Sequence, residues 1–306
     1  LWSKLADRYK DSPWMGGYDL INETHWDFSD ISDLRDLFIR ITNAIREHDD
    51  KRILFIEGNG YANDFTGLTP PWDPNMAYSF HKYKTFNSHF TLEFVLKIQR
   101  EYNYPLWMGE SGENSNAWAT DAVKLFEDLG IGWSWWTYKK LGSVTNPVSF
   151  NSNSRYDALI SYIKGESSSK PTLDNIYAGL LELAESTKIE NVNFQRDYID
   201  ALVRQPYSNL TVPYSNNKVP GTIYASDFDL GNNLNAYYDT NSYDFEYSTG
   251  TYQASNSFIY RNDGVDVNST TFSAGNGFCI EHIDKGEWAV YTINVENDGL
   301  YDIGIF

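Results

Sequence analysis

The chain has 306 residues, 41% of them hydrophobic, enough for one large domain with a small one or for two of medium size. Asp and Glu outnumber Lys and Arg 42 to 24, a net charge of -18 with no basic stripe, so nucleic acid and anionic membranes are disfavoured as partners. The single Cys279 excludes an intramolecular disulfide framework and a Cys-rich metal site, and no run is apolar enough to span a bilayer.

Leu1, Leu5 and Tyr9 lie on one helix face, and Pro13 ends that helix. The chain starts inside this pattern and without Met, so a signal peptide is expected on preceding sequence and the protein is expected to be secreted. Gly17–Glu23 reads as a short buried strand ending in polar residues. Ile31, Leu34, Phe38, Ile41 and Ile45 then mark an amphipathic helix with Ser29 as its N-cap. Arg52–Gly58 is a second strand closing on Glu57, and Met76–Tyr83 is a third, followed by a helix through Leu92, Val95, Leu96 and Ile98. Leu106–Glu110 is the fourth. A helix from Trp118 to Leu129 leads into a fifth strand, Ile131–Trp136.

Strand–helix units at this pitch predict a parallel sheet with crossover helices. A doubly wound sheet would carry a Gly-rich phosphate loop at a strand–helix turn, and none is present. Polar and aromatic residues gather at the strand C-termini, where a (β/α)8 barrel places its active site. The fold class is therefore α/β, a (β/α)8 TIM barrel with strands four to eight present and the first three units missing. Helical segments with polar breaks continue from Ser154 to Tyr207, giving a barrel domain over 1–207. Residues 208–220, rich in Asn, Ser and Pro, read as a linker. From 221 to 306, segments at Phe258–Arg261, Phe278–Ile283, Ala289–Val295 and Tyr301–Phe306 predict an incomplete all-β sandwich.

Glycoside hydrolysis with retention needs two facing carboxyls, one protonated and one ionised, about 5–5.5 Å apart. Glu23, Glu57, Glu110 and Glu113 stand at or just beyond strand ends, and Glu23 and Glu110 would face each other across a barrel rim. Each alone could as readily be a salt-bridging acid. Asn22-Glu23, His81-x-Tyr83, Gly109-Glu110 and Trp136-Thr137-Tyr138, in this order and on successive strands, resemble glycoside hydrolase family 5, the cellulase clan.

The resemblance implies catalytic residues Glu23 as acid/base and Glu110 as nucleophile. It implies that Asn22 binds the sugar 2-OH, that His81 and Tyr83 form the sixth-strand pair, and that Trp136 is a platform under the sugar. Trp72, in the loop after the Glu57 strand, is a candidate sugar-stacking residue or a loop-pinning aromatic. Glu57 is expected to be structural and Glu113 a loop residue. The activity implied is that of a retaining endo-β-glycanase acting on a polysaccharide, β-1,4-glucan first, as a monomer and with no cofactor for catalysis. A glycan-binding protein on a non-catalytic barrel is the alternative. The family also uses an Arg and a His on its second and third strands, outside this chain, so this polypeptide is expected to be inactive and the activity to belong to its intact parent.

Tyr260-Arg261-x-Asp263-Gly264-Val265-Asp266-Val267 and Gly286-Glu287-Trp288-x-x-Tyr291 resemble carbohydrate-binding module family 6, which implies a glycan-binding sandwich with a structural calcium. Ser226 stands where that family has a Glu, and His282 at the position of a cleft Tyr. Trp288 is expected in the core.

Overall fold

The computed structural model describes residues 1–27, 32–240, 245–246, 251–252 and 259–305. The chain divides into two compact units, one of residues 1–111 with 122–135, the other of 112–121 with 136–306.

The first unit is a five-stranded parallel sheet in sequential order, β1 (Gly17–Asp19), β2 (Ile53–Glu57), β3 (Met76–Lys82), β4 (Leu106–Ser111) and β5 (Gly132–Trp133). Its connections run through α1 (Trp2–Tyr9), α2 (Ser32–Arg46), a single turn α3 (Asn59–Ala62), α4 (Glu93–Tyr102) and α5 (Asn116–Asp128), whose last residues belong to this unit. Such a sheet of parallel strands and crossovers fits part of a (β/α) barrel. The proposed cap Ser29, and Ile31 beside it, lie outside the described residues.

Alternation along the strands gives the sheet two chemistries. Tyr18, Leu54, Ile56, Met76, Tyr78, Phe80, Leu106 and Met108 are all buried. Across the helix layer they meet Leu34, Phe38 and Ile45 of α2, Val95 and Ile98 of α4 and Phe126 of α5, buried by the same apolar periodicity that makes those helices amphipathic. Each fully buried large side chain there contributes about 1.5–3 kcal/mol of hydrophobic stabilisation. The opposite face carries Asp19, Phe55, Glu57, Ser79, His81, Trp107 and, after an irregularity, Glu110. Two chelate-like arginine clusters fasten the loops. Arg46 donates to both carboxylate oxygens of Asp73 at 2.8 Å, and Arg52 reaches the carbonyls of Met15, Lys10 and Ser12.

The second unit holds a three-stranded sheet of β6 (Lys139–Leu141), β7 (Val148–Phe150) and β8 (Asn193–Phe194). With it come α6 (Ser154–Ile163), α7 (Leu173–Ser186) and α8 (Arg196–Val203). Asn153 and Thr172 cap α6 and α7 by accepting from Tyr156 and Asn175 backbone amides. The remaining strands pair only in twos among the described residues: β9 (Asn217–Val219) with β16 (Ile293–Val295), β10 (Tyr237–Tyr238) with β15 (Trp288–Ala289), β11 (Phe245–Glu246) with β12 (Thr251–Tyr252), and β13 (Val267–Ser269) with β14 (Phe278–Ile280).

Several expectations for this unit are corrected. Ile259 and Tyr260 form a turn rather than a strand, Phe258 lying outside the described residues. Tyr301–Ile305 has no regular structure, and Phe306 is likewise undescribed. Trp288 is 42% exposed in β15, not core. Within the presumed linker, Asn217–Val219 forms β9, and Val212 bridges to Leu230. The centre of this region is instead Phe228, Ala236, Tyr237, Val265 and Val267, beside a fully buried Arg261. Arg261 donates to Asp263 at 2.7 Å and to the Asp229 carbonyl at 3.4 Å, with its guanidinium 3.6 Å from the Phe228 ring centre. A buried guanidinium is tolerable only with this saturation of donors.

Candidate active site

The polar residues of the inner sheet face converge at the C-terminal ends of β1 to β4. The pairing of β3 with β4 slips between Phe80 and His81, so that Phe80 faces Met108 while His81 faces Glu110. The extra residue on β4 is Gly109, and a β-bulge of this kind re-aims the side chain that follows it. A Cβ on Gly109 would lie 2.5 Å from Ser79 Oγ and 3.1 Å from His81 Nε2, so only glycine lets the imidazole occupy its seat. The bulge thus brings Glu110 alongside His81.

Glu23 lies in the segment after β1, and its backbone is left-handed at φ 46°. Its N–H donates to Glu57 Oε2 at 2.5 Å. Its carboxylate accepts from His81 Nδ1 at 2.7 Å, and the same nitrogen is 3.7 Å from Glu110 Oε2. Tyr83 donates its hydroxyl hydrogen to Glu110 Oε2 at 2.7 Å. Glu23, His81 and Glu110 each present an atom within 4.8 Å of the other two. His81 is buried, whereas Glu23 and Glu110 retain 29% and 19% side-chain exposure, so the two carboxylates are open to a ligand and the imidazole between them is not.

Electrostatics follow from this crowding of acids. Burial alone would depress the His81 pKa. Hydrogen bonds to Glu57 and Glu23, with the charges of Glu57 and Glu110, outweigh it and raise the value to about 9. His81 is therefore an imidazolium near neutral pH. Asp19 keeps an exposed surface at the end of β1, yet partial desolvation of its carboxyl first, then the charge of Glu57 and a hydrogen bond to it, push it up to about 7. Lys82, on the other face of β3, is brought down to about 7 by burial and donates to the Thr85 carbonyl at 2.8 Å.

The close spacing of two carboxylates and an imidazole meets the distance condition for a cation. Both ring nitrogens are engaged, Nδ1 with Glu23 and Nε2 with Glu57, so a cation would have to displace a ring proton from one of these bonds.

Four of the residues singled out from sequence, Glu23, His81, Tyr83 and Glu110, come together. Asn22 is exposed beside Glu23. Trp136 belongs to the second unit, where it is 49% exposed and bridges to Gly112. Glu113 is in the same unit, ion-paired with Lys140. Trp72 packs on α2 and stays half-buried. Its indole N–H donates to Thr42 at 3.1 Å, its ring stacks near Phe38, and the Arg35 guanidinium lies 4.8 Å from its centre. Of the two roles considered for Trp72, loop pinning is the one the packing displays.

Sequence reasoning missed Asp19 and, of the two roles open to Glu57, favoured the structural one. Glu57 touches both Glu23 and His81, although its strand-terminal position was the available signal. Asp19 carried no signal beyond its place two residues into a short strand. A pocket of about 330 Å³ opens beside Glu23, His81 and Tyr83, with Tyr61, Lys84 and Phe94 among its walls.

Residues 1–142 match the family model described as Cellulase (glycosyl hydrolase family 5). Over 179 residues, 46% of this chain, the sequence is 26% identical to a beta-xylosidase of Phanerodontia chrysosporium and spans 37% of that protein. Among solved structures, the endoglucanase Cel5A of Thermotoga maritima is similar at 20% identity and a TM-score of 0.40, covering 44% of this chain and 56% of that one. The endoglucanase Cel5A of Pseudomonas stutzeri is similar at 22% identity and a TM-score of 0.37, covering 44% and 50%. The Thermotoga maritima protein has also been solved in complex with mannotriose and with cellobiose. The chain thus spans well under two thirds of the length of each relative.

Proposed function

We propose that this chain carries the catalytic carboxylates of a retaining β-glycanase. The observation that supports the reading is that Glu23 and Glu110 each bring one carboxylate oxygen to within 4.8 Å of the other around one imidazolium, a spacing closer to that of retention than of inversion. Retention calls for carboxyls about 5–5.5 Å apart, whereas inversion needs about 6.5–9.5 Å to admit a water between acid and base. In this mechanism Glu110 attacks the anomeric carbon as Glu23 protonates the departing oxygen. Glu23 then takes a proton from the water that releases the sugar. Tyr83 holds the attacking oxygen of Glu110 in place, and His81 restrains Glu23 while balancing the local negative charge. No metal or organic cofactor enters these steps.

The substrate proposed is a neutral plant-type polysaccharide, with β-1,4-glucan first and β-linked xylose brought in by the likeness to a beta-xylosidase. The activity is assigned to the intact barrel and the site of action to the extracellular space. Residues 221–306 are proposed to act as an accessory glycan-binding module. The test is reducing-sugar release from a polysaccharide panel by the protein extended through a full barrel. Glu110→Ala and Glu23→Ala are each expected to raise the barrier by several kcal/mol, about 10³-fold or more in kcat. Near-parental turnover by Glu110→Ala would remove the nucleophile assignment. Tight glycan binding with no sugar release by the unsubstituted protein would favour a binding protein instead.

A further inference from the structure

Glu57 ends β2 with 1% of its surface exposed, and among the described residues its only ion-pair partner is His81. A buried carboxylate is costly unless its oxygens are fully used. Both are used here, and both on the active site. Oε2 accepts the backbone N–H of Glu23 at 2.5 Å, and Oε1 lies 3.3 Å from His81 Nε2, while Asp19 hydrogen-bonds to the same carboxylate from β1.

The bond to Glu23 has a particular consequence. At φ 46° the Glu23 backbone occupies a region that L side chains adopt reluctantly, and such a conformation persists only where neighbours enforce it. Glu57 supplies that enforcement by fixing the N–H direction. Through His81 it reaches the same residue from the other end, because the opposite ring nitrogen is bonded to the Glu23 carboxylate. Backbone and carboxylate of Glu23 are thus clamped by two arms of one buried acid.

We propose that Glu57 is the positioning residue of the acid/base, setting the backbone conformation of Glu23 and, through the His81 ring, the aim of its carboxyl. Its catalytic meaning rests on the glycosidase reading; the clamp itself does not. A residue that merely filled space at the end of β2 would affect folding and leave His81 and turnover alone.

The test follows the His81 ring by NMR in the 306-residue chain. The groups facing that ring are Asp19 from β1, Glu23, Glu57 from β2, Tyr83 and Glu110 from β4, so Glu57 is one acid among several and its removal is graded. Glu57→Gln keeps size and an acceptor but removes the charge. It is expected to lower the His81 midpoint by about one pH unit or more. In the form of the protein that releases reducing sugar, kcat is expected to fall about 10- to 100-fold with KM within about twofold. If Glu57→Gln does not fold, Glu57→Asp keeps the charge but shortens the reach to one partner, and the same loss of kcat is expected from it. An unchanged His81 midpoint together with unchanged kcat in a folded variant overturns the proposal. Failure of the glycosidase reading would be recognised separately, by Glu110→Ala hydrolysing at the parental rate, and the His81 titration would still decide whether Glu57 clamps the site.

Discussion

The two faces of the five-stranded sheet are made from the same strands at alternating positions, yet they answer to different demands. Toward the helices stand Tyr18, Leu54, Ile56, Tyr78, Phe80 and Met108, packed with almost no exposure. On the inner face stand Asp19, Glu57, Ser79, His81 and Glu110, a density of acids that no folding argument calls for. Phe80 and His81 are neighbours in sequence and belong to opposite worlds. One face holds the sheet to its helices, and the other keeps charges close together at the cost of stability. Substitutions should therefore separate cleanly by face.

The largest effect on stability is expected from Phe80→Ala. Phe80 is fully buried and makes edge contacts with Phe94 and Phe126, at 6.2 and 6.3 Å between ring centres. Truncation should cost about 3–5 kcal/mol through lost transfer energy and the cavity left behind. Glu110→Gln on the inner face keeps shape and the acceptor for Tyr83, and should change stability by less than about 1 kcal/mol. Urea denaturation of the two variants checks the contrast. A Glu110→Gln loss as large as that of Phe80→Ala would break it.

The next effect is set by pH. His81 titrates at about 9 in the folded chain, above its ordinary 6.5, because Glu57 and Glu23 hold the protonated ring. A raised histidine pKa stabilises fully below about 6.5, and that contribution is lost as pH climbs through 9. Asp19, raised to about 7, binds its proton more tightly when folded and weakens the fold in the same direction between about 4 and 7. The His81 contribution to unfolding free energy should thus decline from pH 6.5 to 9 by a few kcal/mol, while Lys82, brought down to about 7, acts in the opposite direction above pH 7. The His81 part is read as the difference between the parent and His81→Gln, which should shift in favour of the variant as pH climbs from 6.5 to 9. Parallel pH profiles of parent and His81→Gln across this interval would mean that the inner face is not held by an imidazolium.

Legibility in the sequence also divides by face. The helix-facing residues were readable because apolar alternation on strands and a 3.6-residue period on helices are local signals, so all five strands and α1, α2, α4 and α5 were placed near their observed positions, while the single turn α3 was not. Acids at strand ends were readable as well, and Glu23, His81, Tyr83 and Glu110 do meet. What sequence could not show is what depends on three-dimensional neighbours. The bulge at Gly109 is one residue of register. The engagement of Glu57 needs a left-handed Glu23 to receive it, and Trp72 was captured by Thr42, Phe38 and Arg35 of α2. In residues 221–306 the apolar signals are short and separated by Asn, Asp and Gly, so pairing was decided by distant partners such as Asn217 with Ile293, and segments like Tyr301–Ile305 found none among the described residues.

The smallest prediction tests whether polarity by itself marks the functional face. Tyr78 is a polar residue on the apolar side. It is fully buried and donates its hydroxyl hydrogen to the Leu68 carbonyl at 2.9 Å, and burial pushes its pKa well above the usual tyrosine range. Tyr83, five residues on, makes a similar hydroxyl bond to Glu110 at 2.7 Å. Tyr78→Phe should cost about 1 kcal/mol, the net worth of one buried hydrogen bond, and leave the His81 titration and any turnover unchanged. Tyr83→Phe should do the reverse, with little effect on stability and a measurable fall in kcat, because its partner is the proposed nucleophile and not a loop. Thermal unfolding and initial rates on the same pair of variants decide it. If Tyr78→Phe lowered kcat as much as Tyr83→Phe, the two faces would be mechanically coupled across the thickness of the sheet, and the separation drawn here would have to be replaced by a sheet that transmits strain from its core to its acids.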